Sequence, residues 1–168
     1  MIVDFNEKKC QTASKRKIFG ICDDPPPAKK PAYIDEINGS NWIAVVENEH
    51  QYPVTFTAID NCIEILKEDG KMKQRCDGML TYNSTVIFVE LKDRDAQRNA
   101  WVEAAIPQLK SSIKSFEDTL TSENYEKKLA YISNKQNPKF KSTQQSRMNA
   151  FFDETNYVLR IQGRINLQ

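Results

Sequence analysis

The chain predicts an α/β fold: a mixed central sheet flanked by helices. Three observations lead there. Short apolar or alternating runs of strand length recur between residues 42 and 162. The stretch 95–117 instead spaces its apolar residues as a helix does, and the two kinds of segment follow one another along the chain. The 168 residues, 39% hydrophobic and 28% charged, suit one domain that buries a core.

Residues 1–32 read as a flexible Pro/Lys-rich N-terminal arm, and 33–168 as the α/β domain. The arm holds Lys15-Arg16-Lys17, Pro25-Pro26-Pro27 and Lys29-Lys30-Pro31; consecutive prolines remove backbone donors and favour extended polyproline II. Ile18-Phe19-Gly20-Ile21 is its candidate anchor onto the body. Strands are expected at 42–46 and 52–57, the second with alternating apolar positions. Asp60 suits the N-cap of a short helix from Asn61 to Glu68, which Asp69-Gly70 ends. A hairpin follows, with strands 74–82 and 85–92 joined at Asn83-Ser84.

The helix 95–117 carries Ala96, Trp101, Ala105, Leu109, Ile113 and Phe116 on one stripe, and Pro107 predicts a kink or a break within it. A third core strand fits 129–133. A polar, basic helix fits 143–152 and a last strand 157–162.

Composition excludes several chemistries. One histidine, His50, and four scattered cysteines without a C-x-x-C pair do not make a zinc finger, a His-Cys zinc hydrolase or a Ser-His-Asp triad. The cysteines are expected to serve as small buried hydrophobes. No P-loop and no G-x-G-x-x-G is present. No apolar run approaches the roughly 18 residues of a membrane span, and no secretory-type apolar segment stands near the N-terminus, so a cytoplasmic protein without a membrane partner is expected. Charge is uneven: residues 1–30 carry a net +3, 31–109 a net −6 and 110–168 a net +4. Basic segments beside an acidic centre suit a polyanion held next to a bound cation.

The hairpin carries the candidate chemistry. Asp77 and Glu90 fall at facing positions of its two strands, near enough to share a divalent cation such as Mg²⁺ or Mn²⁺. Lys92 lies two residues beyond Glu90 and so projects from the same face. There its ammonium could orient or deprotonate an attacking water and stabilise a phosphate. Leu91 faces the core, but its carbonyl can complete the metal shell. The competing reading is a structural cluster of charges, an Asp opposite a Lys that does nothing further.

Asp77, twelve residues, then Glu90-Leu91-Lys92 on a second apolar strand resembles the PD-(D/E)XK nuclease superfamily, the restriction-endonuclease-like fold. The resemblance covers less than half the chain and implies an αβββαβ core within residues 60–133. It implies Asp77 and Glu90 as metal ligands and Lys92 as the catalytic lysine. It also implies an acid on the preceding helix, with Glu64 the natural candidate and Asp60 its competitor. Gln108 matches the glutamine that RecB-like members carry on the helix after the motif. Cys76 stands where the motif has proline.

The implied activity is that of an Mg²⁺-dependent nuclease, a hydrolase of phosphodiester bonds acting on nucleic acid, with DNA favoured and restriction or phage defence as its setting. Lys135, Lys139, Lys141 and Arg147 follow the third core strand and are candidates to track a phosphate backbone, with solvated surface as the alternative. Trp101, Phe151 and Phe152 are candidates to stack on bases. The alternative is a non-catalytic nucleic-acid-binding or protein-interaction subunit on the same fold, with a protein partner or a homodimer.

Overall fold

The computed structural model describes residues 3–94, 99–136 and 144–168. Among the described residues there are ten strands and two α-helices: β1 (Gln11–Ser14), β2 (Ile18–Cys22), β3 (Tyr33–Asp35), β4 (Ala44–Glu47), β5 (Val54–Ala58), β6 (Gly78–Tyr82), β7 (Thr85–Lys92), α1 (Ala100–Glu117), β8 (Lys127–Asn134), α2 (Gln145–Thr155), β9 (Val158–Ile161) and β10 (Arg164–Asn166). The expected mixed α/β class is observed. It is built from two sheets, where one was expected. The larger has the order β1-β5-β6-β7-β8-β9 and the smaller β10-β4-β2-β3.

The larger sheet separates two apolar layers, because side chains alternate along each of its strands. On β7, Val86 and Phe88 face α1 and α2 and pack with Met79, Ala130, Leu109 and Phe116. Ile87, Val89 and Leu91 face the other way and meet Phe19, Ile21, Val46 and Ile165 of the smaller sheet. β7 is therefore buried on both sides, which explains its unbroken apolar run. Strands β5, β6 and β7 form an antiparallel meander. The α1 crossover then returns the chain to β8, parallel to β7.

The N-terminal segment corrects the expectation of an arm. β1 pairs with β5 as the edge of the larger sheet, and β2 is an inner strand of the smaller one. Phe5, Phe19 and Ile21 are all but inaccessible to solvent. The anchor Ile18–Ile21 is thus a core strand, and Gly20 is needed in it: a Cβ there would lie 1.9 Å from the Trp42 ring.

The helix expected at 61–68 does not form. Asn61 takes a left-handed φ of 61°, and Cys62 is bonded to Cys10. A turn replaces the helix, with the Cys62 and Ile63 N–H groups both donating to Ile59 O. Two of the four cysteines therefore form a disulfide, and the expectation of four buried hydrophobes holds only for Cys22 and Cys76.

Helix α1 runs through Pro107 without a break. Pro107 is exposed, so the carbonyl deprived of its N–H partner can turn to water. α2 ends where Asn156 adopts a left-handed φ of 63° and its N–H closes on Phe152 O. Among the described residues no helix is long and apolar enough to cross a membrane.

Candidate active site

The hairpin register sets the site. Gly78 pairs with Val89, so the next residues outward, Asp77 and Glu90, face each other where β6 begins and β7 nears its end. Gly78 lies beneath the Phe56 ring: a Cβ on it would stand 2.3 Å from Phe56 Cζ and 2.7 Å from Thr57 O. Only glycine lets β5 and β6 pair closely enough to deliver Asp77 at this place. Behind it, the buried Ser112 hydroxyl of α1 accepts the Cys76 N–H at 2.9 Å. This ties the chain just before Asp77 to the helix.

Each carboxylate accepts a backbone N–H from across the hairpin. The Asp77 N–H donates to Glu90 Oε1 at 3.1 Å, and the Leu91 N–H donates to Asp77 Oδ2 at 2.7 Å. Lys92 Nζ lies 3.0 Å from Glu90 Oε2 and donates to Gln108 Oε1 of α1 at 3.3 Å. The Glu90 side chain is 4% exposed and that of Lys92 10%. At such burial a carboxylate persists only with a partner. Burial, first, and then the neighbouring Glu90 raise the Asp77 carboxyl well above its usual range. Burial also raises Glu90, while the Lys92 ammonium pulls it back. Two buried acids beside one ammonium are one positive charge short.

That deficit fits a divalent cation. Among the described residues no group of three or more His, Cys, Asp or Glu side chains is arranged to hold a metal ion. An all-protein cage is thus not what these residues offer. Two carboxylates, a carbonyl and retained water is a set that Mg²⁺ accepts. Lys92 O accepts the Lys135 N–H on the β8 side. Peptide groups alternate in direction along a strand, so those of Leu91 turn to the Asp77 side, as its N–H bond confirms. The Leu91 carbonyl would be the third donor to a cation bound there.

Of the residues singled out in the sequence, Asp77, Glu90, Leu91, Lys92 and Gln108 are brought together. Glu64 is not: it is exposed on the non-helical connection 59–76. Asp60, its competitor, pairs with Arg75 at 3.2 Å instead of capping a helix. Lys135 is exposed in the turn after β8, one residue past the Lys92–Asn134 pair. Arg147 on α2 is held by Gln144 at 2.9 Å and by Glu103 of α1. Lys139 and Lys141 lie outside the described residues. Trp101 and Phe151 are core residues and are not available to stack on bases, whereas Phe152 is exposed.

Two residues not singled out join the neighbourhood. Asp23 follows β2, and its carboxyl is pushed up to about 7, first by partial burial and then by the Asp77, Asp60 and Asp24 carboxylates. The sequence did hold its signature, an acid at the end of an apolar run, as for Glu90. Asn134, buried at the end of β8, donates to Arg94 O at 3.0 Å and accepts the Arg94 N–H at 3.2 Å. It fixes the chain where it leaves β7, and nothing in its sequence context marks it.

Comparison with protein-family models, with curated proteins and with solved structures returned no match.

Proposed function

We propose that the chain is a divalent-cation-dependent nuclease that hydrolyses phosphodiester bonds of nucleic acid, with DNA the favoured substrate. The observation that carries this reading is the convergence of Asp77, just before β6, with Glu90 and Lys92 of β7 and Gln108 of α1 at one end of a buried hairpin. A structural ion pair needs only two of these groups. The meander–helix–strand order β5-β6-β7-α1-β8 supports a restriction-endonuclease-like core, although the helix that should precede it is absent among the described residues.

Asp77, Glu90 and the Leu91 carbonyl would hold Mg²⁺ or Mn²⁺, which when bound supplies charge neutralisation at the phosphate and a more acidic water. Lys92 holds an ammonium beside the acids and can donate to a phosphate oxygen or to the attacking water. Gln108 keeps that ammonium oriented through its 3.3 Å bond. Leu91 and Val89 pack beneath the site and exclude water from the strand that carries it. Lys135, exposed and with its N–H on Lys92 O at the end of β7, is placed to meet a backbone phosphate.

Calorimetric titration with Mg²⁺ and Mn²⁺ tests the cation half of the proposal. The protein as it stands binds, and Asp77→Asn and Glu90→Gln lose binding by at least about tenfold. Equal affinity in all three would remove these acids from the reading.

A further inference from the structure

We propose that the Cys10–Cys62 disulfide is a redox-controlled staple on the turn that backs Asp77. The bond joins residues 52 apart in sequence, linking the segment just before β1 to the turn Ile59–Ile63. That turn is hydrogen-bonded to the site strand itself. The Ile59 N–H donates to Asp77 O at 2.9 Å, and the Asp60 N–H donates to Cys76 O at 3.2 Å. Arg75 adds a second tie, donating to Ile63 O at 2.9 Å while pairing with Asp60. Between the turn and β6, residues 64–76 make no regular strand or helix, only the isolated bridge Leu66↔Met72. The disulfide is the covalent anchor of this irregular segment, which is otherwise held by the buried side chains of Ile59, Ile63 and Ile65 and by single hydrogen bonds.

The staple can open without rearranging. Cys22 and Cys76 are buried thiols. Both are enclosed in the core, Cys22 2% and Cys76 0% exposed, so neither sulfur can reach the Cys10–Cys62 bond for exchange. Cys62 is only partly buried, which gives an external dithiol a sulfur to attack. In the reaction the dithiol donates two electrons and two protons. The Cys10–Cys62 S–S bond breaks to two thiols, and the dithiol closes to its own disulfide. A small-molecule disulfide reverses the step by the same exchange. With the bond formed, the turn stays hydrogen-bonded to the Asp77 carbonyl; with it reduced, the turn is released and Asp77 loses its support from the β5 side. That cation binding weakens as a result rests on the reading of the site proposed above.

Amide hydrogen exchange on the full chain, with dithiothreitol or with oxidised glutathione, tests the staple apart from any activity. Reduction is expected to cut protection of the Ile59, Asp60 and Ile63 amides by roughly tenfold or more while β7 amides keep theirs. Tm is expected to fall by roughly 10 °C. Cys10→Ser with Cys62→Ser should reproduce the reduced pattern and show no response to dithiol. Unchanged protection on reduction, two titratable thiols at Cys10 and Cys62 in the oxidised protein, or collapse of the whole chain on reduction would each overturn the proposal. Mn²⁺ affinity measured in both redox states separates the two readings. Weaker binding on reduction supports both. No binding in either state removes the cation site and leaves the staple judged by exchange alone.

Discussion

The backbone N–H of Asp77, just before β6, donates to the Glu90 carboxylate on β7 at 3.1 Å, although both residues are acids. The bond places two carboxylates together in a buried position, with one ammonium, Lys92, to serve them. Repulsion that would be a defect in an idle core is the property a cation site needs.

Asp77→Asn is expected to stabilise the cation-free protein at pH 8. The folded Asp77 carboxyl is raised above its unfolded value. Its stabilising contribution is therefore complete below the unfolded value of about 4 and is lost as pH rises through the folded one. Asparagine keeps an oxygen for the Leu91 N–H and carries no charge. In EDTA the variant should gain on the order of 1 kcal/mol at pH 8 and nothing at pH 4. Saturating Mg²⁺ should reverse the order, because only the unsubstituted protein gains by binding it. Thermal melts at both pH values check this; a variant less stable at pH 8 in EDTA would count against the charge deficit.

Lys92→Met is expected to leave Glu90 buried and unpaired. In EDTA the loss should be about 3 kcal/mol, as for other buried pairs broken on one side. A divalent cation should restore much of it. Denaturant melts with and without Mn²⁺ read both effects. A cost below about 1 kcal/mol would mean that Lys92 and Glu90 are as well served by water as by each other.

Gly78→Ala tests the packing that delivers Asp77. Its Cβ would stand 2.3 Å from the Phe56 ring, so β5 and β6 must part or Phe56 must move. A loss of about 1–3 kcal/mol is expected, with cation affinity falling alongside stability. Phe56→Leu in the same chain should recover part of both. Denaturant melts and a Mn²⁺ titration on the two variants follow the pair.

The parts of this molecule that were legible in the sequence are those where local pattern and tertiary role agree. The β6–β7 hairpin is apolar on both faces and turns at Asn83, which tolerates its φ of 48°. Hairpin pairing then sets Asp77 opposite Glu90, and β5 and α1 fix that end through Phe56 and Ser112. Gln108 was placed by resemblance alone, and α1 does carry it to Lys92. The N-terminal strands were hidden by prolines and lysines around a five-residue run, Ile18–Cys22, whose partners lie in β3 and β4. The absent helix at 61–68 has a different cause. Asp60 looks like a cap, but the Cys10 bond and the left-handed Asn61 impose a turn, and a link across 52 residues leaves no local trace. Glu64 lost its place in the site with that helix.

The most direct test is cleavage. Supercoiled plasmid, linear duplex, single-stranded DNA and RNA are incubated with the protein in Mg²⁺, Mn²⁺ or EDTA, beside Glu90→Gln and Lys92→Met. The account predicts cation-dependent cutting, DNA before RNA, lost by at least about a hundredfold in both variants, with cation binding kept in Lys92→Met alone. Cutting by Lys92→Met at the unsubstituted rate, or no cutting of any substrate by a protein that binds no cation, would contradict it.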